Sequence, residues 1–198
     1  GGKLNPHPKN KDVYDIDIYQ KISASQIIYL DKRKLEKYIA VVNISNEKIR
    51  VLKSEAELAA IIIHSIIPEM LCTLQAYYST VYHLARMDLE KIYSFIDFAK
   101  DNRVTISIKA HCSLVATLHK EAHGFIPEKI EKILAELGEE KGEMEMLLKE
   151  DFNMPHRYSS PSVAKVLFEK VGDTEFSKSA FDQLIFMLNP RIARMFSP

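Results

Sequence analysis

A chain of 198 residues that is 46% hydrophobic, 27% charged and without net charge at neutral pH has the composition of a globular domain, which excludes an intrinsically disordered one. The zero net charge also argues against a dedicated nucleic-acid-binding protein, since such domains are normally basic. This length suits a single domain that buries a core of its own.

Glycine is absent between Gly2 and Gly124, which is more than half of the chain. Phosphate-binding loops, dinucleotide-binding fingerprints and nucleophile elbows all need glycine for backbone conformations that other residues avoid. The stretch therefore excludes these motifs and leaves helices as the main structural option. We expect a mainly α fold, a bundle of seven to nine helices, with room for a short β-hairpin near residues 38–52.

The first dozen residues contain two prolines among several lysines and asparagines, and they predict a flexible lead-in over residues 1–12. The leading Gly-Gly pair resembles the remnant of an affinity tag, so we expect an excised part of a larger protein. Residues 13–198 are predicted to form one helical domain. Between residues 13 and 30 the isoleucines fit a strand or a helix, and this choice stays open.

Two interpretations compete for residues 31–52. Asp31 suits the N-cap of a helix with one buried face. That face would carry Leu35, Tyr38, Ile39 and Val42. The alternative pairs residues 38–44 with residues 48–52 as a hairpin, which the β-branched residues in the first of these segments favour.

The segment Ser54-Glu55-Ala56-Glu57 has the form of a capping box and predicts a helix that begins there. Pro68 must end or kink that helix, because proline lacks an amide proton and its ring clashes with the preceding turn. Proline also suits the first position of a second helix, which we expect to run through Leu71 to Ala85. Both helices are apolar on nearly all sides, so we expect the pair at the centre of the bundle.

Seven further helices follow from caps and apolar spacing. Asp88 suits the N-cap of the first, and Gly124 the C-terminal end of the second. Pro127 and Ser160-Pro161 mark two later helix starts. The predicted ranges are about 89–101, 105–123, 127–138, 143–152, 160–171, 177–188 and 190–196.

A compact cationic cluster follows Asp31, in a part of the chain where basic residues outnumber acidic ones. Such a cluster favours an anionic partner, either a phosphoinositide headgroup at a membrane or an acidic protein surface. A basic turn that contacts only solvent is the alternative. The predicted binding residues are Lys32, Arg33, Lys34 and Lys37 with the flanking tyrosines Tyr29 and Tyr38.

A second cluster lies on one predicted helix. Helical spacing brings Cys112, His119 and His123 within about 40° of one line, and imidazole and thiolate are natural zinc ligands. A further ligand would have to come from His64 or His83. The same stripe carries aliphatic residues and lacks the glutamate of a zincin helix, so an ordinary core face is the alternative.

Cys72 and Cys112 lie in apolar helical patterns and are expected to be reduced core thiols, as in an intracellular protein. Tyrosines crowd the middle of the chain, either as core residues or as anchors of a protein interface. These are Tyr77, Tyr78, Tyr82 and Tyr93. The most apolar run, Leu58 to Ile67, is too short to cross a membrane.

These observations favour a non-catalytic, cytoplasmic binding module that recognises a protein or an anionic lipid. In this hypothesis the chain has no catalytic residue, no cofactor and no nucleic-acid partner. The alternative is a metal-dependent hydrolase in which His119, His123 and Cys112 hold zinc. Fold class alone does not separate a binding module from an enzyme.

Overall fold

The computed structural model describes residues 2–4, 16–18, 22–24, 27–44 and 47–188. The predicted mainly α fold is confirmed over these residues. The helices are Lys32–Leu35 (α1), Ser54–Ile66 (α2), Leu74–Arg86 (α3), Leu89–Asp101 (α4), Thr105–His123 (α5), Glu128–Leu137 (α6), Lys141–Lys149 (α7), Ser160–Val171 (α8) and Thr174–Leu188 (α9). Short antiparallel pairs of strands accompany them.

The strands are Gly2–Leu4 (β1), Ile16–Ile18 (β2), Ile22–Ala24 (β3), Ile27–Leu30 (β4), Ile39–Ile44 (β5), Glu47–Leu52 (β6), Leu71–Cys72 (β7) and His156–Arg157 (β8). They pair antiparallel as β1–β2, β3–β4, β5–β6 and β7–β8. Of the lead-in predicted over residues 1–12, only β1 is described. The last predicted helix, residues 190–196, lies outside the described residues.

The centre of the bundle is built from α2 and α5. Helix α2 packs against α3, α4 and α5, while α5 also packs against α6, α7 and α8. Each fully buried aliphatic side chain of these helices, such as Ile62 or Ile108, contributes about 1.5–3 kcal/mol by its removal from water. Helix α3 was expected at the centre as well, but that expectation is wrong because it leaves Leu74, Tyr78 and Tyr82 exposed.

Residues 31–52 form the hairpin and not the long helix. Asp31 does cap a helix, accepting a hydrogen bond from the Arg33 amide at 2.9 Å, but α1 ends at Leu35 and a 3-10 turn follows. Strands β5 and β6 then pair from Ile39↔Leu52 to Ile44↔Glu47. The β-branched residues of β5 lose rotamer freedom in a helix and pack well on a pleated strand, which explains the outcome.

The predicted capping box at Ser54 is wrong. The N-cap of α2 is Lys53, and the Ser54 hydroxyl donates to Glu55 instead. Pro68 does follow the end of α2, but it does not begin the next helix. Helix α3 begins at Leu74, where the Thr73 hydroxyl accepts a hydrogen bond from the Ala76 amide at 3.1 Å.

The later helix boundaries agree better with their sequence signals. Asp88 caps α4 through the Lys91 amide, and Gly124 ends α5 with a φ of +80°. The N-cap of α8 is Ser159, one residue before the predicted Ser160. Helix α9 begins at Thr174, three residues earlier than predicted, and α7 spans residues 141–149 where 143–152 was predicted.

Candidate functional site

Three of the four predicted cations come together at an open surface cavity of about 590 Å³. The cavity is lined by Arg33, Lys34, Glu36, Lys37 and Asp101. Lys32 does not line it. The cavity is therefore made by α1, the 3-10 turn after it and the end of α4, and its walls carry both signs of charge.

Each cation of the cavity already has a carboxylate partner. Arg33 contacts Glu175 at 2.7 Å and Asp31 at 3.0 Å. Lys34 contacts Asp173 at 3.0 Å. Lys37 contacts Asp101, whose hydrogen bond raises the pKa of the lysine. An external anion must therefore compete with these four carboxylates for the cations.

The two flanking tyrosines do not line the cavity. Tyr29 is buried and its hydroxyl lies 2.9 Å from Nδ1 of His64. Tyr38 is buried with its ring edge against Phe98, and burial raises the pKa of its hydroxyl. Both tyrosines therefore attach this segment to the core.

The predicted metal cluster is only partly assembled. The rings of His119 and His123 lie 4.4 Å apart between centroids, and Nδ1 of His119 is 2.8 Å from the Tyr77 hydroxyl. Cys112 is a free, fully buried thiol, and burial raises its pKa to about 12. In the described part of the chain, no three His, Cys, Asp or Glu side chains are grouped so that they could hold a metal ion. The expectation that both cysteines are unpaired core thiols is confirmed, since Cys72 is buried and free as well.

A buried chain of hydrogen-bonded polar groups around His111 was not predicted from the sequence. The Thr80 hydroxyl donates to the Ala76 carbonyl, so its oxygen is left to accept from Nε2–H of His111, at 2.8 Å. Nδ1 of His111 then accepts from the Tyr158 hydroxyl at 2.6 Å. Burial lowers the pKa of His111 to about 3, so the ring is neutral and holds one fixed tautomer. This chain of hydrogen bonds is closed to solvent and has a structural role.

The pairing of β7 with β8 brings Tyr158 and His156 into the core. The Tyr158 amide donates to the Met70 carbonyl at 3.0 Å, next to this pair of strands. The carboxylate of Glu143 is fully buried next to these strands and accepts hydrogen bonds from the Ser159 amide, at 3.0 Å, and from the Ser159 hydroxyl. Its Oε2 lies 3.2 Å from Nε2 of His156. Because the serine donates to a carboxylate and not to a histidine, this group is not a nucleophilic triad.

Lys170 is a buried cation that also gave no signal in the sequence. Its side chain is 1% exposed, and Nζ donates to the Asn102 carbonyl at 2.9 Å and to Asp173 at 3.2 Å. Burial lowers the pKa of Lys170, and Asp173 offsets part of that effect. Asp173 also binds Lys34, so one carboxylate joins the cavity wall to the start of α9.

The last two helices expose large apolar side chains. They are Leu167, Phe168 and Val171 on α8, and Phe181, Leu184, Ile185, Met187 and Leu188 on α9. Tyr78 and Tyr82 on α3 and Tyr93 on α4 are also exposed. The guanidinium of Arg86 covers the Tyr82 ring at 3.5 Å. Tyr77 is buried, so the tyrosines predicted as core or interface residues divide between the two environments.

Comparison with family models, curated proteins and solved structures finds no match to this chain. Among the helices that the structure describes, none combines the length and apolar character needed to cross a membrane.

Proposed function

We propose that this chain is a non-catalytic binding module that docks on an apolar helix of a protein partner through the outer face of α9. The observation that carries the proposal is the stripe Phe181, Leu184, Ile185 and Leu188. Its spacing of i, i+3, i+4 and i+7 is that of a helix that packs on another helix. All four side chains are 51% to 72% exposed.

The opposite side of α9 is already occupied. Phe176 and Ser179 are buried there, and the Ser179 hydroxyl accepts a hydrogen bond from the Ile28 amide of β4 at 2.9 Å. At 100° per residue the outer stripe points away from this contact. Helix α9 therefore has an inner face that packs within the described residues and an outer apolar face that does not.

The extent of the outer stripe supports a docking role. Four large apolar side chains that are each more than half exposed leave on the order of a few hundred Å² of apolar surface in water. An apolar area of this size matches the largest one on a typical monomer, and that largest area is often a binding surface. A partner helix would remove this surface from water, whereas a charged ligand would not.

Paired substitutions test the proposal. The double variant F181S/L184S removes two of the four apolar side chains of the stripe, while F125S/L89S removes a similarly exposed phenylalanine and leucine elsewhere. Partners captured by the wild-type chain and then purified should bind F181S/L184S about tenfold or more weakly, which corresponds to about 1.4 kcal/mol. The control variant should bind them normally. Equal affinity of the wild type and F181S/L184S for every such partner would exclude this face.

The cavity at α1 supports a second candidate, recognition of a phosphate group of an anionic lipid by Arg33, Lys34 and Lys37. Arginine and lysine at a cavity of this size are suited to such a group. Vesicles that contain a phosphoinositide should recruit the wild type and K32A equally but lose R33A, because Lys32 does not line the cavity. Equal recruitment of R33A and the wild type would refute this candidate.

A further inference from the structure

The hairpin of β5 and β6 exposes much of its surface. Val41, Ile44 and Ile49 are all exposed, with Val41 at 62%. A two-stranded hairpin is only marginally stable in water, and three or more strands are normally needed. The hairpin is therefore suited to accept additional strands.

The hydrogen-bonding pattern identifies which groups of β5 point outward. The Lys53 amide donates to the Tyr38 carbonyl at 2.8 Å, so the pair 38↔53 is of the hydrogen-bonded type. Such pairs alternate along an antiparallel ladder, so residues 40, 42 and 44 are bonded to β6. The carbonyl of Ile39 and the amides and carbonyls of Val41 and Asn43 consequently point to the outer edge of β5, whereas the Ile39 amide donates to the Glu36 carbonyl of the preceding 3-10 turn. No described strand lies along that edge.

The two edges of the hairpin differ in charge. Strand β6 carries Glu47, Lys48 and Arg50, and such charges protect an edge from pairing with another chain. Strand β5 reads Ile-Ala-Val-Val-Asn-Ile and has no charged side chain. An uncharged, β-branched edge of six residues is a template for strand addition.

We propose that β5 pairs antiparallel with β5 of a second copy of this chain, about a two-fold axis at Val41. In this register Val41 faces Val41 of the copy, and Ile39 faces Asn43 of the copy. The two Val41 residues exchange both of their hydrogen bonds, and each Asn43 amide donates to the Ile39 carbonyl of the other copy. The result is one sheet of four strands in the order β6–β5–β5–β6.

A second copy fits this edge for two reasons. The strand brings no charge, so nothing repels an identical strand, and the chain as a whole has no net charge to oppose self-association. The sheet also doubles the apolar face that Val42, Ile44, Ile49 and Val51 share, since alternate residues of each strand lie on one side. This self-association uses the hairpin and is independent of the outer face of α9.

Charge substitutions at the two-fold axis test both the pairing and its register. V41K and V41E each place like charges opposite one another and should weaken dimerisation about fivefold or more in analytical ultracentrifugation. An equimolar mixture of V41K and V41E places opposite charges there and should restore dimerisation. V41T, which keeps an uncharged β-branched residue, serves as the matched control and should behave like the wild type.

V41P adds a control for the fold of the hairpin. It removes the outward amide of residue 41 and spares the inward hydrogen bonds of residues 40 and 42, so it should be monomeric with a normal circular dichroism spectrum. A wild type that stays monomeric at all accessible concentrations overturns the proposal. A folded mixture of V41K and V41E that remains monomeric beside a dimeric wild type overturns it as well.

Discussion

Replacement of Asp173 by asparagine tests how the start of α9 is fixed to the bundle. One carboxylate oxygen, Oδ2, binds Lys34 at 3.0 Å and buried Lys170 at 3.2 Å. The other, Oδ1, accepts hydrogen bonds from the amides of Glu175 and Phe176, the second at 3.2 Å. The side-chain amide oxygen of asparagine can still accept from these backbone amides, which makes asparagine a good N-cap as well, but the negative charge is lost.

The expected loss follows from the burial of Lys170. Its ammonium keeps only the Asn102 carbonyl in D173N, and a buried charge left without its counter-ion costs about 3–5 kcal/mol. Lys34 is 37% exposed and can turn to solvent, so it adds little. We expect the free energy of unfolding of D173N to be about 3 kcal/mol lower than that of the wild type. For a chain of this length, that loss lowers Tm by about 6–12 °C.

Urea unfolding followed by circular dichroism measures the effect, and the variant K170M supplies the second side of a double-mutant cycle. Methionine removes the buried ammonium at similar volume, so K170M/D173N should be more stable than D173N alone. A loss below about 1 kcal/mol in D173N would refute the reasoning, as would strict additivity in the double variant.

The pH dependence of D173N provides an independent check. Burial alone would raise the pKa of Asp173, but Lys170, Lys34 and the Phe176 amide outweigh it and hold the pKa below its usual 3.8. A carboxylate with a lowered folded pKa stabilises the fold above its unfolded pKa and loses that contribution as the pH falls through the folded value. The difference between the wild type and D173N should therefore be constant near neutral pH and shrink below about pH 4.

Three further predictions concern other parts of the bundle. G124A should lower the free energy of unfolding by about 1 kcal/mol, because Gly124 has a φ of +80°, which alanine adopts only with strain; no atom lies near the added Cβ, so crowding plays no part. The matched variant G142A replaces a glycine inside a helix and should raise the free energy of unfolding slightly, and chemical unfolding compares the two. E143Q should lower the free energy of unfolding by about 2 kcal/mol at pH 7. Hydrogen bonds to the carboxylate outweigh the effect of burial and lower the pKa of Glu143, so the difference between E143Q and the wild type should vanish in acid. An undiminished difference at pH 3 would contradict this. Y158F leaves Nδ1 of buried His111 without its donor and should lower the free energy of unfolding by about 1–3 kcal/mol, so an unchanged melting curve would argue against the assigned tautomer.

The cationic cavity shows how far the sequence reaches toward a site. Lys32, Arg33, Lys34 and Lys37 were predicted together because they lie within two turns of chain, and three of them do line one cavity. Their carboxylate partners are separated from them by 64 to 142 residues, apart from Asp31. Nothing in the local sequence indicates those partners, so neutralisation of the cluster could not be foreseen.

The outer face of α9 shows a similar limit of prediction from the sequence. The spacing of Phe181, Leu184 and Leu188 predicts an apolar stripe, and it would describe a core-facing helix equally well. Only the burial of Phe176 and the hydrogen bond between Ser179 and β4 show that this stripe is the outer one. Exposure depends on which side of an element the rest of the chain covers, and periodicity contains no such information.

The class of the fold and most of the helix boundaries from residue 88 onward follow from local sequence signals. Asp88 and Gly124 act on backbone groups within one helical turn, so their effect is readable from neighbouring residues. The choice between helix and hairpin at β5 depends on the packed fold, as does the burial of Lys170 between Asn102, after α4, and Asp173, before α9. The packed fold also places His111 between Thr80 and Tyr158. In each of these cases the free energy depends on groups distant in sequence, and a local pattern cannot supply it.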